Sequence, residues 1–335
     1  MKKLLFVLTA AVIVTSPRPA QAQDKFSTTG KIERIDPRFE KLVPKDARME
    51  LLAEGFKWTE GPVWMKTDGH LLFSDIPNNT INMWKPGSGI KLNFIKPSGY
   101  TGDKPRGGEP GSNGLTVNAD GLLTLCEHGD RRVTQIDKAG KKTVLADKYM
   151  GKRFNSPNDL VFHSSGALYF TDPPYGLELQ LKDPACELDF CGVYRLKDGK
   201  VELLTKELSR PNGIALSPDE KTLYVANSDE KKAIWMAYPV QADGTIGKGK
   251  VFFDATKWAG TKKGLPDGMR VDLEGNLFAT GPGGVLVFAP DGTHLGTLDT
   301  GVPTANCGWG EDGSTLYITA NTTLLRIRLS TKGKI

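Results

Sequence analysis

Short apolar runs alternate with polar residues along most of this chain, and the runs recur in sets. Leu71-Leu72-Phe73, Leu122-Leu123-Thr124, Leu168-Tyr169-Phe170, Leu223-Tyr224-Val225, Asn276-Leu277-Phe278 and Leu316-Tyr317-Ile318 each follow a tight turn. The turns are Asp68-Gly69, Asp120-Gly121, Ser165-Gly166, Asp219-Glu220, Glu274-Gly275 and Asp312-Gly313. Before each turn stands a polar anchor followed by alternating apolar residues, at Glu60, Asn113, Asn158, Asn212, Asp267 and Asn306. Period-two runs bounded by acidic-Gly turns read as strands, and no long segment carries helical spacing.

Anchor-to-anchor spacings of 53, 45, 54, 55 and 39 residues lie near the roughly 40–50 residues of a propeller blade. A blade has four strands, and the third and fourth are legible in runs such as Arg132–Ile136 and Thr143–Ala146. The sixth repeat ends without a clear fourth strand, whereas Met49–Ala53 precedes the first anchor with no blade of its own. The fold expected is an all-β, six-bladed β-propeller closed by that N-terminal strand, which removes an open sheet edge.

Residues 1–22 read as a secretory signal peptide, with Lys2 and Lys3, an apolar run from Leu4 to Val14, and Ala20-Gln21-Ala22 before the cut. The expected organisation is therefore this signal followed by one propeller domain over 23–335, in a periplasmic or secreted protein. The apolar run is too short for a stop-transfer helix, so no membrane span is expected in the mature chain. Loss of Lys2, Lys3 and Arg18 takes the formal charge from +5 to +2, and the remaining basic residues form no stripe for nucleic acid. Four cysteines suit an oxidising compartment. Cys186 and Cys191 lie close enough in sequence for a loop disulfide, while Cys126 and Cys307 sit in apolar runs as buried thiols.

The anchors begin the innermost strands, so the fold gathers six polar side chains around one axis. Two carboxylates and several carboxamides brought together need something to neutralise and pair them. A hard divalent cation with oxygen ligands does so, and the lack of His or Cys in the ring disfavours zinc and copper. Asn-Gly and Asp-Gly pairs are also ordinary turn formers, which does not account for Glu60 in Glu60-Gly61-Pro62-Val63-Trp64. The second strand runs back to the anchor face at a wider radius, placing Asp75, His128, Asp172 and Asn227 along the pocket wall. Asp172-Pro173-Pro174-Tyr175 adds an aromatic edge, and Arg153 offers a charged donor on the loop to Asn158. No Gly-x-Ser-x-Gly elbow, His-Glu-x-x-His pair or Gly-x-Gly-x-x-Gly loop is present.

Over roughly Met49 to Leu329 these residues resemble the gluconolactonase, regucalcin and senescence-marker family of calcium-dependent propellers. The segments that carry the resemblance are Glu60–Trp64, Arg153–Leu160, Thr171–Gly176, Arg210–Ile214 and Leu265–Met269. The resemblance implies hydrolysis of a sugar lactone, with a metal held by Glu60, Asn158, Asn212 and Asp267. It makes Asp267 the catalytic base and Arg153 a substrate contact. Asn113, His128, Asp172 and Tyr175 complete the expected substrate-binding set. The expected cofactor is one divalent cation, Ca2+ first, with Mg2+, Mn2+ and Zn2+ open; the partner is a small-molecule lactone, and the oligomeric state is left open. Two other functions fit the same residues: phosphotriester hydrolysis in the same pocket, and a non-catalytic, calcium-stabilised binding propeller.

Overall fold

The computed structural model describes residues 26–335, so the expected signal peptide lies outside the described residues. Six antiparallel sheets form the six blades of a β-propeller. Blade one comprises Thr59–Met65, His70–Asp75, Thr80–Lys85 and Gly89–Ile95, in order from the axis outwards. The inner strands of the other blades are Ser112–Val117, Leu160–Phe162, Pro211–Leu216, Met269–Val271 and Thr304–Gly310. Among the described residues no helix is long and apolar enough to cross a membrane.

The closing strand is Met49–Glu54, paired antiparallel to Thr323–Arg328 with Leu51 opposite Leu325, so it completes blade six as expected. A second closure escaped the sequence reading. Lys31–Arg34 adds a fifth strand to blade five, pairing with His294–Asp299, and Thr28–Thr29 adds one to blade six. Between Lys31–Arg34 and the closing strand a short helix, Phe39–Leu42, buries Phe39, Leu42 and the following Val43 in the core shared by blades five and six. The N-terminal segment therefore clasps two neighbouring blades.

Alternate residues of each strand face the next blade, so the core lies in layers between sheets. Blade six meets blade one through Tyr317 stacked on Trp64, ring centroids 5.8 Å apart, with the buried Trp84 5.5 Å away. In blade three Phe154, Phe170 and Tyr194 pack within 5.2–5.3 Å of one another. Such aromatic pairs contribute about 0.5–1.5 kcal/mol each beyond their burial.

All four cysteines are free, which corrects the expectation of a loop disulfide. Cys186 Sγ instead lies 3.0 Å from the Leu188 carbonyl, and Cys191 is buried.

Candidate functional site at the propeller axis

The six anchors stand at the heads of the inner strands, where the strand pattern breaks. In blades one, two, four and six a register shift falls at the anchor, between Glu60 and Val63, Ser112 and Leu115, Pro211 and Ile214, and Thr304 and Asn306. In blades three and five the inner strand begins only at Leu160 and Met269, two residues after Asn158 and Asp267. A bulge interrupts the alternation between faces and re-aims a side chain, which frees the anchors from the inter-blade layers and turns them to the axis.

The glycines after the anchors serve close approach rather than turns. A Cβ at Gly114 would sit 2.6 Å from the Asn158 carbonyl, and the Gly114 N–H donates to that same oxygen at 2.7 Å. Side chains at Gly213 and Gly268 would collide with Asp267 and Asn306. Hydroxyls of second strands pin the seams: Ser74 Oγ donates to the Asn113 carbonyl at 2.8 Å, Thr171 Oγ1 to Asn212 at 2.6 Å and Thr280 Oγ1 to Ala305 at 2.8 Å.

Glu60, Asn113, Asn158, Asn212 and Asn306 are buried, and Asp267 is partly exposed. Glu60 Oε2 accepts from the Gly61 N–H at 2.9 Å and from Asn306 Nδ2 at 3.0 Å. Among the described residues, Asn113 Oδ1, Asn158 Oδ1, Asn212 Oδ1 and Asp267 Oδ1 are buried with no hydrogen-bond partner. Four orphaned oxygens around one axis are unusual, because buried polar atoms are nearly always paired. Burial, followed by repulsion from Glu60 and Asp159, holds the Asp267 carboxyl well above the usual carboxylate range. Burial raises Glu60 as well, opposed by its hydrogen bond from Gly61. Such an oxygen-only set suits a hard divalent cation, which would pair the orphans and neutralise the two acids. Among the described residues no three His, Cys, Asp or Glu side chains group as a metal site, so an oxygen-ligand set here would need the amide oxygens as well.

The wall differs from the sequence reading. Asp172 is fully buried, and both its oxygens accept backbone N–H groups, from Asn155 at 2.8 Å and Ser156 at 2.7 Å. Its carboxylate is committed to the loop before Asn158. Asp75 does the same for Lys57 and Trp58, and Asn227 for Arg210. In blade two the last residue of the second strand is Glu127, opposite Ser112, so the equivalent of Asp75 is Glu127 and not His128. Glu127 is buried in ion pairs with Arg132 and with Lys142 Nζ at 2.7 Å. His128, one residue on, is fully buried between Glu109 and Asn158. Arg153 is partly buried and donates through Nη2 to the Asp130 carbonyl at 2.8 Å, so this guanidinium nitrogen is spent on the loop.

Tyr175 stands at the site mouth with Arg210 over its ring at 5.7 Å, and burial raises its phenol above the ordinary value, with Asp267 adding to the effect. Arg210, Glu109 and Arg106 were missed in the sequence. Glu109 acts electrostatically on Glu60, Asp267 and Tyr175, and Arg106 reaches across to the Gly129 and Gly176 carbonyls. The latter two sit on the irregular loop between blades one and two, whose only sequence signal is its Gly and Pro content. Beneath the ring, Asp159 is buried 3.8 Å from Arg270, and burial raises its carboxyl.

The family model described as "SMP-30/Gluconolactonase/LRE-like region" matches residues 58–322. A gluconolactonase of Zymomonas mobilis is 43% identical, over 96% of this chain and 93% of its own. The structure of a gluconolactonase from Xanthomonas campestris superposes with a TM-score of 0.79 at 30% identity, covering 92% of this chain and 99% of that one. A regucalcin from Agrobacterium tumefaciens, described as a calcium-binding protein, shares the fold with a TM-score of 0.67 at 23% identity, over 85% of this chain and 95% of its own.

Proposed function

The chain belongs to the SMP-30/gluconolactonase/LRE-like family, and from that premise we propose that it hydrolyses a sugar lactone at the axial ring. The ring is read as holding one divalent cation, calcium first, through Glu60, Asn158, Asn212 and Asp267. The observation that carries the reading is the set of buried oxygens on Asn158, Asn212 and Asp267 that no protein group pairs. When bound, the cation supplies Lewis-acid polarisation of the ester carbonyl.

This chain's own residues supply the rest. Asp267 accepts a proton, at the carboxylate oxygen not given to the cation, from the water whose oxygen adds to the carbonyl carbon. The ring C–O bond then breaks, and the proton passes to the departing ring oxygen, giving a hydroxy acid. Glu60, fixed by Gly61 and Asn306, keeps its place as a ligand. Asn113 brings an unpaired amide oxygen for a sugar hydroxyl, and Tyr175 with Arg210 forms the aromatic and cationic edge of the mouth. Asp172 and Arg153 hold the loop to Asn158 and act as positioning residues. The leader over residues 1–22 is read as cleaved for export, which the mass of the mature protein recovered outside the cytoplasm checks.

The test is glucono-1,5-lactone hydrolysis followed by acid release, before and after chelation and with Ca2+, Mg2+, Mn2+ or Zn2+ returned. Activity lost to the chelator and restored by a metal supports the reading. Chelator-insensitive turnover removes the cation, and no turnover on a panel of aldonolactones removes the activity.

A further inference from the structure

The partner of one ring carboxamide is set by two residues outside the ring. His128 follows the second strand of blade two, is fully buried, and has its backbone N–H held by the Gly111 carbonyl at 3.2 Å. Its Nδ1 lies 3.1 Å from Glu109 Oε2, and its Nε2 lies 3.4 Å from Asn158 Nδ2. A neutral imidazole has one N–H and one lone pair, while an ionised carboxylate can only accept. A neutral His128 paired with an ionised Glu109 therefore carries its proton on the nitrogen facing Glu109. Nε2 is then an acceptor, and of the two ends of the Asn158 amide only the NH2 can face it. That choice turns Asn158 Oδ1 to the opposite side, where it is buried and unpaired. With the proton on Nε2 instead, the amide would turn over and the ring would lose an oxygen.

The 3.1 Å approach of Glu109 lies off the hydrogen-bond line, since Nδ1 has no aligned partner. The Glu109 side chain is 34% exposed and follows Gly107-Gly108, and the pairing requires it to turn into line with Nδ1. Among the described residues no other acceptor reaches this buried nitrogen.

We infer that Glu109 and His128 are a positioning pair that fixes the Asn158 carboxamide with its oxygen toward the axial cation. The inference rests on the cation reading above. It replaces a substrate-contact role for His128 with one exerted through Asn158, and it gives the loop between blades one and two a part in building the ring. Groups that fix the orientation of a metal ligand typically change affinity by about 10–100-fold when removed.

The experiment uses the purified protein, calorimetric titration with Ca2+ alone, and the long-range 1H–15N spectrum of the four histidines. The expected result is an Nδ1–H tautomer for the resonance that disappears in H128Q. E109A, which removes the acceptor, is expected to lose that signature and to bind Ca2+ about 10-fold or more weakly, with an unchanged melting temperature in chelator. In the H128Q background the E109A change is expected to have little further effect, because Glu109 acts through the imidazole. An equal loss in both backgrounds would assign Glu109 a purely electrostatic role and overturn the inference. So would unchanged affinity in E109A, or an Nε2–H tautomer in the wild type. If H128Q does not fold, the E109A affinity and the E109A-sensitive resonance decide. Absence of Ca2+ binding by the wild type up to millimolar concentration removes the cation reading itself, a result distinct from a cation bound equally well by every variant.

Discussion

Asp75 and Asp172 hold equivalent places in blades one and three: each ends its second strand and accepts the backbone N–H groups three and two residues before the anchor, ahead of Glu60 and Asn158 respectively. The anchors are thus aimed by carboxylates that never reach the axis. Asp172→Asn leaves one acceptor oxygen and sets an NH2 group against a backbone donor. The expected cost is about 1–3 kcal/mol, that of an unpaired buried polar group, seen as a lowered denaturation midpoint. Lactone kcat is expected to fall with little change in KM, because the loop to Asn158 loosens. A raised KM at unchanged stability would return Asp172 to the substrate wall.

Asp267→Asn is expected to lose about 10²–10⁴-fold in turnover, the usual scale for removing a general base, while the fold is retained by circular dichroism. Saturating cation and a full pH series are needed, because the same change would also remove a charged ligand of the proposed cation. Near-normal turnover would transfer the base role to Glu60 or to unaided metal-activated water.

The cation-free protein is expected to become less stable as pH rises. Burial raises the carboxyls of Glu60, Asp267 and Asp172, the last to about 7. From about pH 4 upwards the folded form therefore holds protons that the unfolded chain has released, and unfolding is favoured as pH climbs through the folded values. In chelator the melting temperature should fall between pH 5 and 8. Saturating Ca2+ should flatten much of that slope, since both ring acids are then ionised in a pairing field. A flat profile over that range would mean that the three acids are already ionised at pH 5 in the free protein.

Cysteine reactivity distinguishes free thiols from a loop bridge. Cys186 is partly exposed, whereas Cys126, Cys191 and Cys307 are buried, with the latter two thiols pushed up to about 12 by burial. Mass spectrometry after alkylation should find Cys186 modified first in the native protein, and all four modified in denaturant without reductant. Recovery of only two alkylated sites would mean a bond between Cys186 and Cys191.

The repeats were legible because a propeller writes the same alternation six times, and the strand at Met49–Ala53 was legible because blade six lacked one. The ring followed from the same periodicity. What the sequence concealed was register and loop chemistry. Blades one and two carry the same one-residue bulge, but the hairpin of blade two is one residue shorter, with Asn118 facing Leu122 where Met65 faces His70, so His128 looked equivalent to Asp75 when Glu127 is. Lys31–Arg34 has only Ile32 as an apolar residue, too little alternation to read as a strand, since its pairing with blade five is made by the backbone. Glu109 and Arg106 come from an aperiodic loop, where spacing carries no information.

The double clasp also fixes an order of events. Glu50 meets Arg326 across 276 positions, so the strand that carries Glu50 has no partner in blade six until the last portion of the chain has been synthesised. Blades one to four can form as the chain emerges, whereas five and six wait for both termini. Contacts this distant slow the final step, and until it occurs the unfinished ring presents a bare strand edge to its surroundings. An export route that carries the polypeptide unfolded and releases it whole would let the circle close only after delivery.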